Sequence, residues 1–275
     1  MRTGIIACPV DPNISSLKYE IFLTELKPKF IIDNLNQIVI NPNKDHINFL
    51  SQYSLDGIFL LLFSSGTTGK PKGILHKSKS LIASAKSFSN LSELKRDSVV
   101  LHHFPMYYMA GIFNMFLCPM VSGSKIVIGK QFTKEHMLNF WEIPMKYRVN
   151  ILTLTPTMAI ALVKVYRENK KLHKYIRSIK SAISTGSYLY NSIFEKFGEK
   201  FSLKLQTCYG ITEAGGTITY KSKKNLSLSD SVGSYDTDTE FICNGTNEFP
   251  SKVYVRTPYM FSGYFINGKY EKFLR

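Results

Sequence analysis

The chain has 275 residues, long enough to bury a sizeable core as one large domain or two to three subdomains. Hydrophobic residues at 44% and charged residues at 20% are ordinary for a globular chain, and no apolar run approaches the ~20 residues that cross a bilayer, so no membrane span is expected. Lys and Arg exceed Asp and Glu by 35 to 20, but the +15 excess is spread along the whole chain, which argues against a nucleic-acid partner. The opening residues, Met1 to Pro9, carry too few charges and too short an apolar run for a signal peptide. Cys8, Cys118, Cys208 and Cys243 are scattered without a C-x-x-C pair, which predicts reduced thiols in a cytoplasmic protein rather than a disulfide frame or zinc site.

In chain order, apolar periodicity predicts a helix over 16–26, strands over 30–32 and 58–63, and a helix over 78–89. Strands follow at 99–101, 125–128, 151–154 and 182–184, with helices at 111–121, 134–147, 158–167 and 191–197. Such alternation predicts an α/β fold of mostly parallel sheets flanked by helices. After Gly216 short β-prone runs at 217–220, 240–243 and 253–256 alternate with Asn, Ser and Gly, predicting a small antiparallel β-rich element. A boundary near 90–97 suggests subdomains at 1–95 and 96–225, with the β-rich part at 226–275. Between 164 and 180, Lys164, Arg167, Lys170, Lys171, Lys174, Arg177 and Lys180 alternate with apolar residues at helical spacing, which reads as a solvated helix face.

The most informative segment is Ser64-Ser65-Gly66-Thr67-Thr68-Gly69-Lys70-Pro71-Lys72-Gly73. Glycines free backbone N–H groups for close approach, while hydroxyls and lysines add donors and positive charge, the composition of a polyphosphate-binding loop. Pro71 stands where a Walker loop needs glycine, and the alternating glycines of a dinucleotide loop are absent. The run 58–63 before it reads as a strand buried on both faces; Leu75, Leu81, Ile82, Ala85 and Phe88 behind it read as helix. Strand, loop and helix in that order is a common phosphate-binding context.

This decapeptide resembles the phosphate-binding signature of the adenylate-forming (AMP-binding) superfamily, which includes acyl- and aryl-CoA synthetases. Tyr209-Gly210-Ile211-Thr212-Glu213 resembles the second hallmark, approached by Ile183-Ser184-Thr185-Gly186-Ser187. Pro105 to Gly111 resembles the start of the acyl pocket, and Asn150 to Thr157 the strand and Pro-Thr turn that follow. Gly4 to Pro12 and Val253 to Tyr264 are similar to an early Pro-x-Asp-Pro turn and a late Gly-Tyr segment, so family order spans nearly the whole chain. The resemblance implies the family's large N-terminal domain and ATP-dependent activation of a small carboxylic acid. The acyl-adenylate would pass to a thiol, of CoA or of a carrier protein's phosphopantetheine arm.

Residue by residue, the resemblance gives Ser64, Ser65, Gly66, Thr67, Thr68 and Gly69 to the β- and γ-phosphates, with Lys72 as the main positive charge. Thr212 would reach the α-phosphate and Glu213 would hold Mg²⁺, a hard cation suited to carboxylate and phosphate oxygens. Tyr209 offers a face to adenine, with Gly186, Ser187 and Gly210 lining the base, while Tyr108, Gly111 and Thr157 would line the acyl pocket. Tyr108 stands where many acyl-activating relatives carry histidine, and no Phe-Asp pair occurs near 105–111, which points away from α-amino acids. His102 and His103 are adjacent on a strand, so they face opposite ways and read as structural.

The family pattern would continue beyond Arg275 to a Thr-Gly-Asp whose aspartate holds the ribose, a Gly-Arg hinge and a C-terminal domain with a catalytic lysine. A longer stretch also usually precedes the early Pro-x-Asp-Pro turn. The expectation is therefore a truncated N-terminal domain, impaired alone or completed by a separate chain. The alternative is a non-catalytic fragment or degenerate ATP-binding module.

Overall fold

Short apolar runs bounded by Gly, Asn, Ser and Pro set the strands in this protein, and amphipathic runs between them set the helices. A computed structural model describes residues 6–29, 31–32, 56–64, 72–222, 231–245 and 251–273. The elements run α1 (Ser16–Leu26), β1 (Ile58–Ser64), β2 (Lys72–Lys77), α2 (Ser78–Leu91), β3 (Val99–His102), α3 (Met109–Ile112), α4 (Cys118–Ser122) and β4 (Lys125–Ile128). They continue with α5 (Glu142–Lys146), β5 (Ile151–Leu154), α6 (Pro156–Lys164), α7 (Lys170–Ile176), β6 (Ser181–Ser184), α8 (Asn191–Phe201), β7 (Gln206–Ile211) and β8 (Gly216–Tyr220). Five short strands close the chain: β9 (Ser234–Tyr235), β10 (Glu240–Ile242), β11 (Tyr254–Arg256), β12 (Gly263–Ile266) and β13 (Lys269–Lys272). None of the helices among the described residues is long and apolar enough to cross a membrane.

The chain divides into two compact units, one of residues 1–79 with 261–275, the other of residues 80–260. The first holds an antiparallel sheet in the order β1-β2-β12-β13. Leu60, Leu61 and Leu62 are all buried, as a strand covered on both faces requires. Ser64 and Lys72 are register partners at the end of the β1–β2 pair that residues 65–71 connect, and on its other edge β2 pairs with β12 through Leu75↔Gly263 and Gly73↔Phe265. At Gly73 a Cβ would lie 2.7 Å from Leu61 Cδ1 and 3.0 Å from Phe265 Cβ, so glycine is needed where three strands meet. In α1, whose bounds match the expected helix, Phe22 stacks on Phe63 at 4.4 Å between ring centroids.

One expectation fails here. The chain does not run from the glycine-rich segment into a helix; it returns as β2, and helix begins only at Ser78. Leu75, read as the first helical position, is a buried strand residue facing partners on both sides. Strand pairing on two edges outweighs the accidental spacing between Leu75 and Leu81.

The second unit is built on a seven-stranded sheet ordered β4-β3-β5-β6-β7-β8-β9. Strands β4, β3, β5, β6 and β7 are parallel, and β8 and β9 join antiparallel. That is the mostly parallel, helix-flanked α/β arrangement expected, with the antiparallel β10–β11 pair as part of the β-rich stretch. Leu152, Leu154, Ala159, Leu162, Phe197, Phe201 and Leu205 form the heart of its core. The helix expected over 134–147 shrinks to α5, with turns before it. The basic helix expected from 164 to 180 is two: α6 ends at Lys164, and Asn169 starts α7 by accepting hydrogen bonds from Lys171 and Leu172 N–H at 2.9 and 3.2 Å.

Candidate functional site

In an open parallel sheet, ligands bind outside the carboxyl ends of the strands, near the point where strand order reverses. Here β4 lies on one side of β3 and β5 on the other, so the reversal falls between β3 and β5. Within the second unit, every candidate residue sits at such a carboxyl end. Tyr108 and Gly111 follow β3, Thr157 follows β5, Gly186 and Ser187 follow β6, and Tyr209 to Glu213 close β7 and the short 3-10 turn Thr212–Ala214 after it.

Local chemistry fixes each of these ends. Thr155 caps α6, its hydroxyl accepting from Met158 N–H at 3.2 Å, and Pro156 fills the first helical position; Thr157 is exposed in that turn. Thr185 N–H donates to Leu154 O at 3.0 Å, tying the ends of β5 and β6 together. Gly186 has φ +90°, and the nearest atom to a Cβ there would be Thr155 Cγ2 at 3.8 Å, so its outer side is open. Gly210 is the opposite: a Cβ would lie 2.3 Å from Gly216 O, so the β7–β8 register shift at Tyr209 and Gly210 itself demands glycine. Tyr209 is 38% exposed, and Thr212 and Glu213 are half-buried.

The segment that resembles the start of an acyl pocket reaches the same region through a π-helical turn, Phe113–Leu117, between α3 and α4. Gly111 is packed so closely that a Cβ would lie 2.1 Å from Pro105 O. Next to it, the Phe113 ring lies 2.7 Å from where a Gly216 Cβ would be, and Asn114 Nδ2 donates to Thr217 Oγ1 at 2.9 Å. The segments 105–117 and 209–217 are therefore in direct contact. Sequence reasoning missed Asn114 and Thr217; the Gly215-Gly216 doublet was the available signal of a close approach. Tyr108 is largely exposed, its ring 4.9 Å from that of Tyr107.

In the first unit, Lys72 opens β2 with its ammonium 5.8 Å from the centroid of the Tyr264 ring. Ser65, Gly66, Thr67, Thr68 and Gly69, with Lys70 and Pro71, lie outside the described residues, as does the side chain of Ser64. The chemistry of the donor set fits the groups implied. Phosphate would meet Lys72 next in sequence to a hydroxyl-rich segment, and Mg²⁺, which keeps waters and substrate oxygens as ligands, needs no more than one carboxylate such as Glu213. Among the described residues no group of three or more His, Cys, Asp or Glu is arranged to hold a metal by itself. A cavity of about 410 Å³ lies among Trp141, Met145, Leu162, Tyr166 and Leu172, and none of the candidate residues lines it.

The histidine pair is built into the core. His103 is 2% exposed and donates from Nε2 to Thr153 O at 2.8 Å, with Nδ1 unpartnered, the tautomer of a neutral imidazole. Burial lowers its pKa to about 4, the Thr153 carbonyl opposing and His102 adding to the shift. His102 Nε2 lies 2.9 Å from Met106 Sδ, and burial lowers its pKa too. Of the cysteines, all free, Cys118 and Cys208 are buried and Cys243 is exposed.

The chain is 26% identical over 223 residues to 4-coumarate–CoA ligase-like 3 of Arabidopsis thaliana, covering 77% of this chain and 39% of that protein. It is 33% identical over 159 residues to a probable CoA ligase of Humulus lupulus, covering 57% of this chain and 28% of the relative. The chain thus spans well under half the length of these relatives. A solved malonyl-CoA ligase with methylmalonyl-CoA and AMP bound superposes with a TM-score of 0.79 at 17% identity, covering 96% of this chain and 60% of that one, and shares its fold. A sequence model described as AMP-binding enzyme matches residues 1–265, and the chain belongs to that family.

Proposed function

We propose that this chain carries the nucleotide- and acid-binding part of an AMP-forming acid–thiol ligase. A carboxylate would attack the α-phosphorus of ATP, giving an acyl-adenylate and pyrophosphate, and the acyl group would then pass to a thiol. One observation carries the reading: the segments resembling the acyl, adenine and metal elements converge on the carboxyl ends of β3, β5, β6 and β7.

Because two anions must meet, the protein's task is positioning and charge neutralisation. Lys72 and the hydroxyls of the 64–69 segment would bind the terminal phosphates. Thr212 would donate to the α-phosphate, and Tyr209 with the open side of Gly186 would receive adenine. Glu213 would hold Mg²⁺, which would supply charge compensation at the phosphate oxygens. Tyr108, Gly111 and Thr157 would bound the acid, which the missing Phe-Asp pair makes a simple organic acid rather than an α-amino acid. CoA is the favoured acceptor because the relatives reported above are named as CoA ligases.

The test is isotope exchange between pyrophosphate and ATP across a panel of aryl, malonyl-type and aliphatic acids. The reading predicts exchange that depends on one class of acid and falls on the order of 10²–10³-fold in Lys72→Ala or Glu213→Ala. Mg-ATP binding without exchange for any acid would favour a nucleotide-binding module instead.

A further inference from the structure

Asp236, about twenty residues beyond the Thr-Glu turn, collects three hydroxyl donors. Ser87 of α2 and Tyr259 both donate to Oδ2, the tyrosine at 2.8 Å, and Thr239 donates to Oδ1 at 2.6 Å. Thr239 is a near neighbour in sequence, but Ser87 and Tyr259 come from distant parts of the chain, so the carboxylate is a junction. Burial alone would raise its pKa, but the hydrogen bonds from Ser87, Thr239 and Tyr259 prevail and hold it below the ordinary carboxylate value. Ser87, Ala214, Thr217, Thr257 and Tyr259 line a narrow cleft around Asp236, whose side chain is half-buried.

Tyr259 connects this junction to the candidate site. Its phenol is held by Asp236 and its backbone N–H by Thr257 Oγ1 at 2.9 Å, so both ends of the residue are fixed. Its carbonyl oxygen lies 2.6 Å from where a Cβ on Gly215 would be. Gly215 ends the turn that carries Thr212 and Glu213, with φ +81° and its N–H bonded to Thr212 O at 3.1 Å. The Tyr259 carbonyl therefore packs against the residue that closes the turn, closely enough that only glycine fits there.

We propose that Asp236 is a positioning residue: through Tyr259 and Gly215 it fixes the Thr212–Ala214 turn and so the aim of the Glu213 carboxylate at the metal. The inference rests on the ligase reading for the role of Glu213 and adds to it two residues that touch neither substrate nor metal. Partners that orient a metal-binding carboxylate typically change metal affinity 10–100-fold when removed.

The test is calorimetric titration of ATP binding at a series of Mg²⁺ concentrations, well below the melting temperature of every variant. Asp236→Ala and Tyr259→Phe should each raise the Mg²⁺ concentration at half-maximal ATP binding by about tenfold or more. Asp236→Asn, which keeps the shape and can still bond the hydroxyls, should recover part of that loss. A purely structural junction would lower melting temperatures and leave the Mg²⁺ dependence unchanged; that result overturns the inference. Tyr259→Phe keeps the ring, so it serves if Asp236→Ala does not fold. Absence of Mg-ATP binding by the unmodified protein would bring down the ligase reading and this inference with it, whereas normal binding with variants of identical Mg²⁺ dependence would bring down this inference alone.

Discussion

His103 makes a residue-scale prediction with a definite sign. Its folded pKa, about 4, lies below the ~6.5 of an exposed histidine, so between these values the unfolded chain holds a proton that the native chain does not. Stability should therefore be intact above pH ~6.5 and fall as pH drops toward 4, by at most about 3 kcal/mol from this group. Denaturant melts at pH 7 and 4.5 measure it, and His103→Gln should flatten the dependence; an equally steep loss in that variant would assign the effect to other groups. Gly73 gives a second prediction. A methyl there meets Leu61 and Phe265 across two strands, so Gly73→Ala should cost about 1–3 kcal/mol of unfolding free energy in urea. Its place within the glycine-rich decapeptide suggested a ligand contact, but strand packing alone demands glycine at this position.

At the scale of elements, the buried polar triad of the second unit ties three strands together. Ser181 Oγ donates to Gln206 Oε1 at 2.6 Å, and Gln206 Nε2 donates to the Tyr220 hydroxyl, linking β6, β7 and β8 below the candidate site. Gln206→Leu leaves the Ser181 and Tyr220 hydroxyls with only each other, at 3.3 Å, and should lower stability by about 1–3 kcal/mol. Adding Tyr220→Phe should cost less than the sum of the two single changes, a coupling a double-mutant cycle resolves; strict additivity would deny the network. Much of the element order was legible in sequence, because β3, β4 and β5 are short runs rich in Val, Ile and Leu. The β1–β2 hairpin was not, since Lys72–Lys77 is too short and too polar at its ends to announce a strand, and its pairing with β12 joins residues nearly two hundred apart. The helix before α5 failed for a different reason: Pro144 sits inside the expected span, and turns replace its first half. Candidate residues on β7 were legible only as a string, Tyr-Gly-x-Thr-Glu; their supports Asn114, Asp236 and Tyr259 lie in ordinary-looking sequence and become visible only through tertiary contact.

Across the whole molecule the net charge is +15. Three ion pairs of the described residues, Lys79–Asp56, Lys180–Asp97 and Arg256–Glu240, are exposed and contribute little. Self-repulsion should therefore be screened by salt, and the melting temperature should rise between ~10 mM and ~300 mM NaCl; a fall would mean that attractive pairs dominate. The same positive field favours a polyanionic nucleotide, so binding must be judged at fixed ionic strength and against charge-matched controls. The most direct measurement is equilibrium binding of Mg-ATP at ~150 mM salt to the unmodified protein, Lys72→Ala and Glu213→Ala, with Lys79→Ala as a control of equal charge change at a residue outside the candidate site. Saturable binding that is preserved in Lys79→Ala and weakened by about tenfold or more in each of the other two is the predicted result; equal binding by all four proteins, or none by the unmodified one, would contradict the account.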